Sequence, residues 1–303
     1  MIFDVQKSIN EPILISNKYG VDLFLKREDN IHPIISGNKY RKLKYNIETA
    51  KNEGYKTILT FGGAFSNHIA AVAAVGKAFD IKTIGVIRGD ELADKIESNP
   101  TLMYAKSCGM TFKFISRALY REKQNPSVIK KILKGFSNYY FVPEGGTNDL
   151  AIKGCEEILN ESDKIFNFVC CSIGTGGTIS GIINSAKSNQ YVLGFPALKG
   201  SFLKEDISKF VMQNNWNIIA DYHFGGYGKV DIDLINFINQ FKKDNNIQLD
   251  PVYTGKMMFG IYDLLEKGYF LKGSKVLAIH TGGLQGIFGM NNLLMKKNMP
   301  LID

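Results

Sequence analysis

One lysine, Lys39, lies in the run Ser36-Gly37-Asn38-Lys39-Tyr40-Arg41-Lys42, where a Gly-containing loop enters a helix-patterned segment reaching about Glu53. An amine beside the positive end of a helix, with Arg41 and Lys42 close in sequence, is held below its ordinary pKa, because those surroundings disfavour the ammonium form. A neutral amine attacks carbonyl carbon, so the position suits Schiff-base chemistry. Taken alone, Lys39 would also read as one more solvated lysine. Two further motifs change that reading.

The run Ser172-Ile173-Gly174-Thr175-Gly176-Gly177-Thr178 falls between a strand pattern and a helix pattern. Its glycines let backbone N–H groups turn toward one point, Thr175 and Thr178 add hydroxyl donors, and the helix dipole favours an anion there. No Gly-Lys-Ser/Thr follows, so this is not a nucleoside-triphosphate loop. Ile179 stands where a dinucleotide fingerprint needs its third glycine. A phosphate site without a nucleotide signature suggests a smaller phosphorylated cofactor. The run Gly62-Gly63-Ala64-Phe65-Ser66-Asn67-His68 is a second strand-to-helix turn. Ser66 and Asn67 could simply cap the helix, and His68 alone reads as a partly buried histidine. Three polar side chains behind a double glycine also fit a carboxylate or phenolate site. Together, a reactive lysine, a phosphate cradle and a polar turn describe pyridoxal 5′-phosphate held as a Schiff base.

The elements that must position these residues alternate. Thr57–Phe61, Thr83–Ile87, Thr111–Ile115 and Tyr139–Val142 read as strands, with helices over Ser66–Phe79, Pro100–Cys108 and Val128–Phe136 between them. The second half repeats the theme: strands over Phe166–Cys171, Tyr191–Phe195 and Val276–His280, and helices from Ile179 onward and over Asp231–Lys243. This order predicts parallel sheets with helices on both faces. No Ser/Pro linker separates the halves, so two tightly joined α/β lobes with a site in the cleft between them are expected.

Composition narrows the function classes. The chain has 303 residues, 45% of them hydrophobic, which is ample for a packed core. Its net charge of +8 comes from lysines spread along helix faces such as Lys130-Lys131-Ile132-Leu133-Lys134, and no nucleic-acid-binding signature accompanies them. An anionic small molecule suits that balance better. Cys108, Cys155, Cys170 and Cys171 show neither a C-x-x-C pair nor metal-ligand spacing, so buried reduced thiols and no metal are expected. The start of the chain lacks a basic stretch followed by an apolar run, and nothing later approaches membrane-span length. The expectation is a soluble, cytoplasmic protein without a nucleic-acid or membrane partner.

Ser36-Gly37-Asn38-Lys39-Tyr40-Arg41-Lys42-Leu43 resembles the cofactor-lysine motif of the 1-aminocyclopropane-1-carboxylate deaminase/D-cysteine desulfhydrase family. Gly62–His68, Gly174–Thr178, Gly225-Gly226-Tyr227-Gly228, Leu249–Lys256 and His280-Thr281-Gly282-Gly283 look like its remaining motifs, in order along nearly the whole chain. The resemblance implies a two-lobed, tryptophan-synthase-β-like fold (type II), each lobe a parallel-rich sheet flanked by helices. Residues 1–43 and 148–303 would form the larger, cofactor-binding domain, and 44–147 the smaller one. A homodimer is also implied. Lys39 would carry the cofactor and shuttle the substrate Cα proton. Lys42 would hold the phosphate with Gly174, Thr175, Gly176, Gly177 and Thr178, Asn67 would bond the phenolate oxygen, and Thr281 would accompany the pyridine nitrogen. Ser66 and His68, with Asn67, would face the substrate, and Tyr227 and Tyr253 would flank the reacting carbons. The bland readings are a core role for both tyrosines and a turn role for Thr281.

A hydroxyl rather than a carboxylate at the pyridine nitrogen favours the unprotonated ring, which suits loss of a β-leaving group over transamination. Thr254 is the discriminating position. In the deaminase subgroup a glutamate follows this tyrosine, whereas Thr254 and His68 resemble the desulfhydrase-like members. The expected function is therefore D-cysteine desulfhydrase, a carbon–sulfur lyase giving pyruvate, sulfide and ammonia from a small amino acid. The alternative is a 1-aminocyclopropane-1-carboxylate deaminase giving 2-oxobutanoate and ammonia. A non-catalytic cofactor-binding protein and a nucleotide-dependent oxidoreductase are the other classes weighed. Intact Tyr227 and Tyr253 oppose the first, and the missing third glycine opposes the second. The chain departs from the family after Thr147, and Glu144 adds a charge near the presumed cleft.

Overall fold

The computed structural model describes residues 4–123 and 125–303. Among them, ten strands form a six-stranded and a four-stranded sheet. In chain order they are β1 (Asn10–Pro12), β2 (Asp22–Lys26), β3 (Thr57–Gly63), β4 (Lys82–Arg88), β5 (Thr111–Ile115), β6 (Tyr140–Val142), β7 (Phe168–Ile173), β8 (Tyr191–Pro196), β9 (Trp216–Ile218) and β10 (Lys275–Ile279). The larger sheet runs β1-β2-β10-β7-β8-β9 and the smaller β5-β4-β3-β6. Only the β1–β2 pairing is antiparallel. Parallel strands need crossover connections, and the crossing helices cover both faces of each sheet. Continuous burial follows: Val169, Cys170 and Cys171 on β7 are each 0% exposed.

The expected strands are present: β3, β4 and β8 are longer by one or two residues, β6 is shorter by one, and β7 and β10 are displaced by two and one. β1, β2 and β9 were not among the expected strands: β2 begins and ends on charged Asp22 and Lys26, and β1 and β9 are three-residue edge strands, the setting in which Pro12 is tolerated. The helix expected over Val128–Phe136 instead spans Pro126–Ile132, with Asn125 capping it and Pro126 at its first position. The helix Asn67–Phe79 is buried at every position from His68 to Gly76. Its Ala- and Val-rich sequence fits a helix packed on more than one side.

Three helices stack across the middle of the fold. Asn38–Asn52, which begins at the reactive-lysine motif, packs on Asp149–Glu156, and that helix packs on Gly177–Ser185, which begins at the glycine–threonine loop. The first two backbones approach closely: a Cβ on Gly154 would stand 1.9 Å from the Arg41 carbonyl oxygen. Two loops far apart in sequence are thereby fixed relative to each other by rigid elements. No helix among the described residues is long and apolar enough to cross a membrane, and no His/Cys/Asp/Glu group there could hold a metal ion.

Candidate active site

The carboxyl ends of parallel strands from both sheets open on one cavity of about 490 Å³. Gly63 and Arg88 end β3 and β4, Gly145 follows β6, Ile173 ends β7, Leu198 follows β8 and Thr281 follows β10. Ligands of open α/β sheets bind at such ends. Of the catalytic, cofactor and substrate residues expected from sequence, all but Gly177 line this cavity; the discriminating Thr254 lies outside it as well. That glycine lies behind the wall, where a Cβ would meet Thr147 Oγ1 at 2.8 Å and Lys42 Nζ at 3.2 Å.

Lys39 is in the first turn of Asn38–Asn52. Its ammonium donates to Asn38 Oδ1 at 3.0 Å, and Asn38 Nδ2 donates to Thr178 Oγ1 at 2.8 Å. The amine is thus tied through one side chain to the glycine–threonine loop. Burial first, and Lys42 second, bring the Lys39 pKa down to about 7. Arg41 has no part in this, contrary to the sequence expectation. Its guanidinium turns away and donates twice to buried Glu28, both bonds at 2.9 Å.

Lys42 Nζ donates to the Gly145 carbonyl oxygen at 3.0 Å and to Thr147 Oγ1 at 3.1 Å, with Thr175 Oγ1 at 3.4 Å. Burial lowers its pKa. Thr147 and Thr175 share a hydrogen bond of 2.6 Å. One ammonium therefore gathers the loop after β6 and the loop after β7 at the start of the helix Gly177–Ser185. Thr147 was not singled out from sequence. Its place beside Thr175 depends on two sheets meeting, and only the polar run after Pro143 hinted at it.

The polar turn splits its duties. Ser66 caps the helix Asn67–Phe79, accepting from Ile69 N at 3.4 Å, while still lining the cavity. His68 is 2% exposed, with Nε2 and Thr60 Oγ1 2.9 Å apart. Burial, then Lys39 and Lys42, hold it neutral well below the ordinary imidazole range. Among the described residues, Asn67 Oδ1 and His68 Nδ1 are buried without a hydrogen-bond partner. Unpaired buried polar atoms are costly unless a ligand satisfies them.

Across the cavity, Tyr253 OH donates to Tyr227 OH at 3.4 Å, with the rings edge to face and centroids 6.1 Å apart. Burial first, then Tyr227, keep the Tyr253 phenol protonated well above its ordinary pKa. The Asp250 carboxylate accepts from the backbone N–H of Val252, Tyr253 and Thr254, fixing the turn that carries Tyr253. Thr254 does not line the cavity. Its hydroxyl donates to Asp250 Oδ1 at 2.8 Å and its side chain is 0% exposed. Thr281 lies 3.4 Å from Ser172 through their hydroxyls, so two hydroxyls meet at this end of the cavity. Glu144, the charge expected near the cleft, is already met by Lys123 at 3.0 Å and by the Tyr120 hydroxyl at 2.6 Å.

A family model described as pyridoxal-phosphate dependent enzyme matches residues 11–282. The chain belongs to that family. A Pyrococcus horikoshii relative carrying a provisional 1-aminocyclopropane-1-carboxylate deaminase name is 30% identical over 308 residues, covering 93% of this chain and 90% of that one. A D-cysteine desulfhydrase of Klebsiella pneumoniae subsp. pneumoniae is 26% identical over 298 residues, covering 90% of each chain. A solved structure of an ACC deaminase homologue superposes with a TM-score of 0.80 at 26% identity, covering 96% of this chain and 93% of that chain. The family resemblance and the fold expected from the motifs are both borne out: this pyridoxal-phosphate dependent enzyme has the type II fold.

The residues present fit the cofactor. The cavity offers an amine of lowered pKa, a glycine-walled helix start with Lys42 and hydroxyl donors, and an Asn67 oxygen and a His68 nitrogen awaiting partners. An aldehyde, a phosphate and a polar ring edge would satisfy those three features.

Proposed function

We propose that this enzyme eliminates a β-substituent from a small amino acid, in the manner of a D-cysteine desulfhydrase. The observation that carries the reading is the Lys39 amine, brought to about pKa 7, in one cavity with the Lys42-bound anion loop. Bound pyridoxal phosphate supplies an electron sink for the carbanion left when the substrate Cα proton departs.

Lys39 Nζ takes that proton, because neither carboxylate in the cavity wall is free to do so. Glu144 is paired with Lys123 and Tyr120, and Asp250 is engaged with three backbone N–H groups. The Cβ–S bond then breaks and sulfide leaves with its electron pair. The released 2-aminoacrylate hydrolyses in water to pyruvate and ammonia. Ser66 and the N-terminus of Asn67–Phe79 hold the substrate carboxylate. Lys42, Thr175 and Thr178 would hold the phosphate with Gly174 and Gly176, with Gly177 supporting that loop from behind, Asn67 would bond the phenolate oxygen, and Thr281 with Ser172 would offer hydroxyls to the ring nitrogen. Tyr227 and Tyr253 close over the reacting carbons.

Thr254 supports the desulfhydrase reading indirectly. It places no acid in the cavity and fixes Tyr253 through Asp250. The same proposal assigns residues 1–43 and 148–303 to a cofactor-binding domain and 44–147 to a smaller one. The homodimer and the cytoplasmic location rest on the resemblance alone.

The test is 2-oxo acid release from cofactor-loaded protein. Pyruvate with sulfide from D-cysteine is the expected result. 2-Oxobutanoate from 1-aminocyclopropane-1-carboxylate would replace this reading with the deaminase. A visible cofactor band that survives Lys39→Ala together with turnover would overturn the role of Lys39.

A further inference from the structure

The cations around the cavity differ in what they meet. The cation of Lys42 faces the phosphate loop, Arg117 donates to Glu91 at 2.6 Å and 2.8 Å, and Lys123 pairs with Glu144 at 3.0 Å. One cation in the wall is left over. Arg88 lines the cavity, yet among the described residues it has neither a carboxylate partner nor a hydrogen-bond acceptor. Its guanidinium lies over the Tyr120 ring, 5.8 Å from the centroid. Stacking of this kind steadies the group and leaves its fork of N–H donors available.

Arg88 ends β4, directly beside Gly63 in the register of the parallel pair. Gly63 opens the turn to Ser66, Asn67 and His68, the proposed carboxylate end of the substrate site. A substrate whose carboxylate is held by that turn would occupy the cavity that Arg88 also lines. Planar, bidentate recognition of an oxyanion is what an unpaired guanidinium supplies.

We infer that Arg88 receives an oxyanion on the substrate β-substituent, so the preferred substrate is a β-substituted alanine bearing a phosphate or sulfonate. This rests on the elimination reading of the same site. The balance of the step is unchanged: Lys39 takes the Cα proton, the Cβ–O or Cβ–S bond breaks, and phosphate or sulfite leaves with the electron pair. 2-Aminoacrylate then hydrolyses to pyruvate and ammonia. A carboxylate joined through Cβ–C, as in aspartate, binds without leaving.

The experiment compares O-phosphoserine, cysteate and cysteine, each as D and L forms, with holoenzyme of wild type, Arg88→Met and Arg88→Lys. Calorimetry with D- and L-aspartate reads binding without turnover. An anionic substrate should exceed cysteine in kcat/KM at least tenfold, with phosphate or sulfite release identifying the group. Arg88→Met should cut the anionic-to-neutral ratio at least tenfold, mainly through KM, and weaken aspartate binding, while Arg88→Lys retains part of both. Preference for cysteine with a ratio unmoved by either variant would overturn the inference and leave the elimination reading standing. Equal losses for anionic and neutral substrates would also overturn it, placing Arg88 at the α-carboxylate instead. Arg88-dependent aspartate binding with no pyruvate from any amino acid would support the oxyanion site and sink the elimination reading.

Discussion

Gly37 is packed so tightly on Thr281 that a Cβ at residue 37 would stand 2.1 Å from the Thr281 carbonyl oxygen. The same carbonyl accepts from Asn38 N at 3.3 Å, and Gly37 holds a φ of +56°. The loop before Lys39 and the loop carrying Thr281 are therefore one unit. Gly37→Ala should push the two loops apart, lowering Tm by several degrees and weakening cofactor binding at least tenfold. Thermal melts with and without cofactor would check both, and an unchanged affinity would uncouple the loops.

Lys39 makes stability depend on pH in a definite direction. Its pKa is about 7 in the folded chain against the ordinary 10.5. Between those values the unfolded chain binds a proton that the folded chain does not, so stability rises with pH there. The contribution is complete above about 10.5 and lost as pH falls through about 7. Lys39→Met should therefore raise the Tm of cofactor-free protein most at about pH 6, with the gain shrinking toward alkaline pH. A gain that grows with pH would contradict the lowered pKa.

The same neutral amine governs cofactor uptake. The rate at which cofactor-free protein develops the Schiff-base absorption band should climb with pH through about 7 and then level off, following free Lys39 amine. Stopped-flow absorbance from about pH 5.5 to 8.5 would show it. A flat profile would place the controlling proton elsewhere.

Lys42 joins three acceptors from two loops. Lys42→Met leaves the Gly145 carbonyl and both threonine hydroxyls without their cation, and removes a charge from the phosphate end. Cofactor affinity should fall at least tenfold, and inorganic phosphate should protect the variant from heat less than it protects wild type.

Lys256 is a different kind of buried ammonium. It is 1% exposed and donates to the carbonyl oxygens of Ala197, His223 and Gly226, at 3.3, 2.9 and 2.8 Å. The last two belong to the loop that presents Tyr227. Lys256→Met should destabilise the protein by about 1–3 kcal/mol, since buried carbonyls lose their donor. The kcat should fall as Tyr227 loses its support. Denaturant titration and steady-state kinetics read the two effects separately.

Much of the fold and site was legible because the relevant signals are local. Each of the runs 36–42, 62–68 and 172–178 is a single loop-to-helix or strand-to-helix turn, so its glycines and polar residues sit together in sequence as they do in space. The βα alternation was legible because doubly covered strands are apolar throughout. What escaped depends on distant segments meeting. Thr147 acquires meaning only beside Thr175, and Arg88 only once Glu91, Glu144 and Lys123 have found their own partners. Arg41 looked like a neighbour of Lys39 along the chain, but helical geometry sends it to Glu28 instead. Thr254 was read as the discriminating position, and the Asp250 turn draws its hydroxyl inward, out of the cavity.

The strand order of the larger sheet also sets a timetable. β10, the tenth strand to be synthesised, lies between β2 and β7, pairing with both. Until residues 275–279 leave the ribosome, the first two strands have no partner in the sheet beyond each other, and the loop with Thr281 does not exist. The smaller sheet needs nothing outside residues 57–142 and can assemble early. A nascent chain would thus carry a finished small lobe beside an open large one, with apolar β2 and β7 edges waiting for a chaperone or for the last strand.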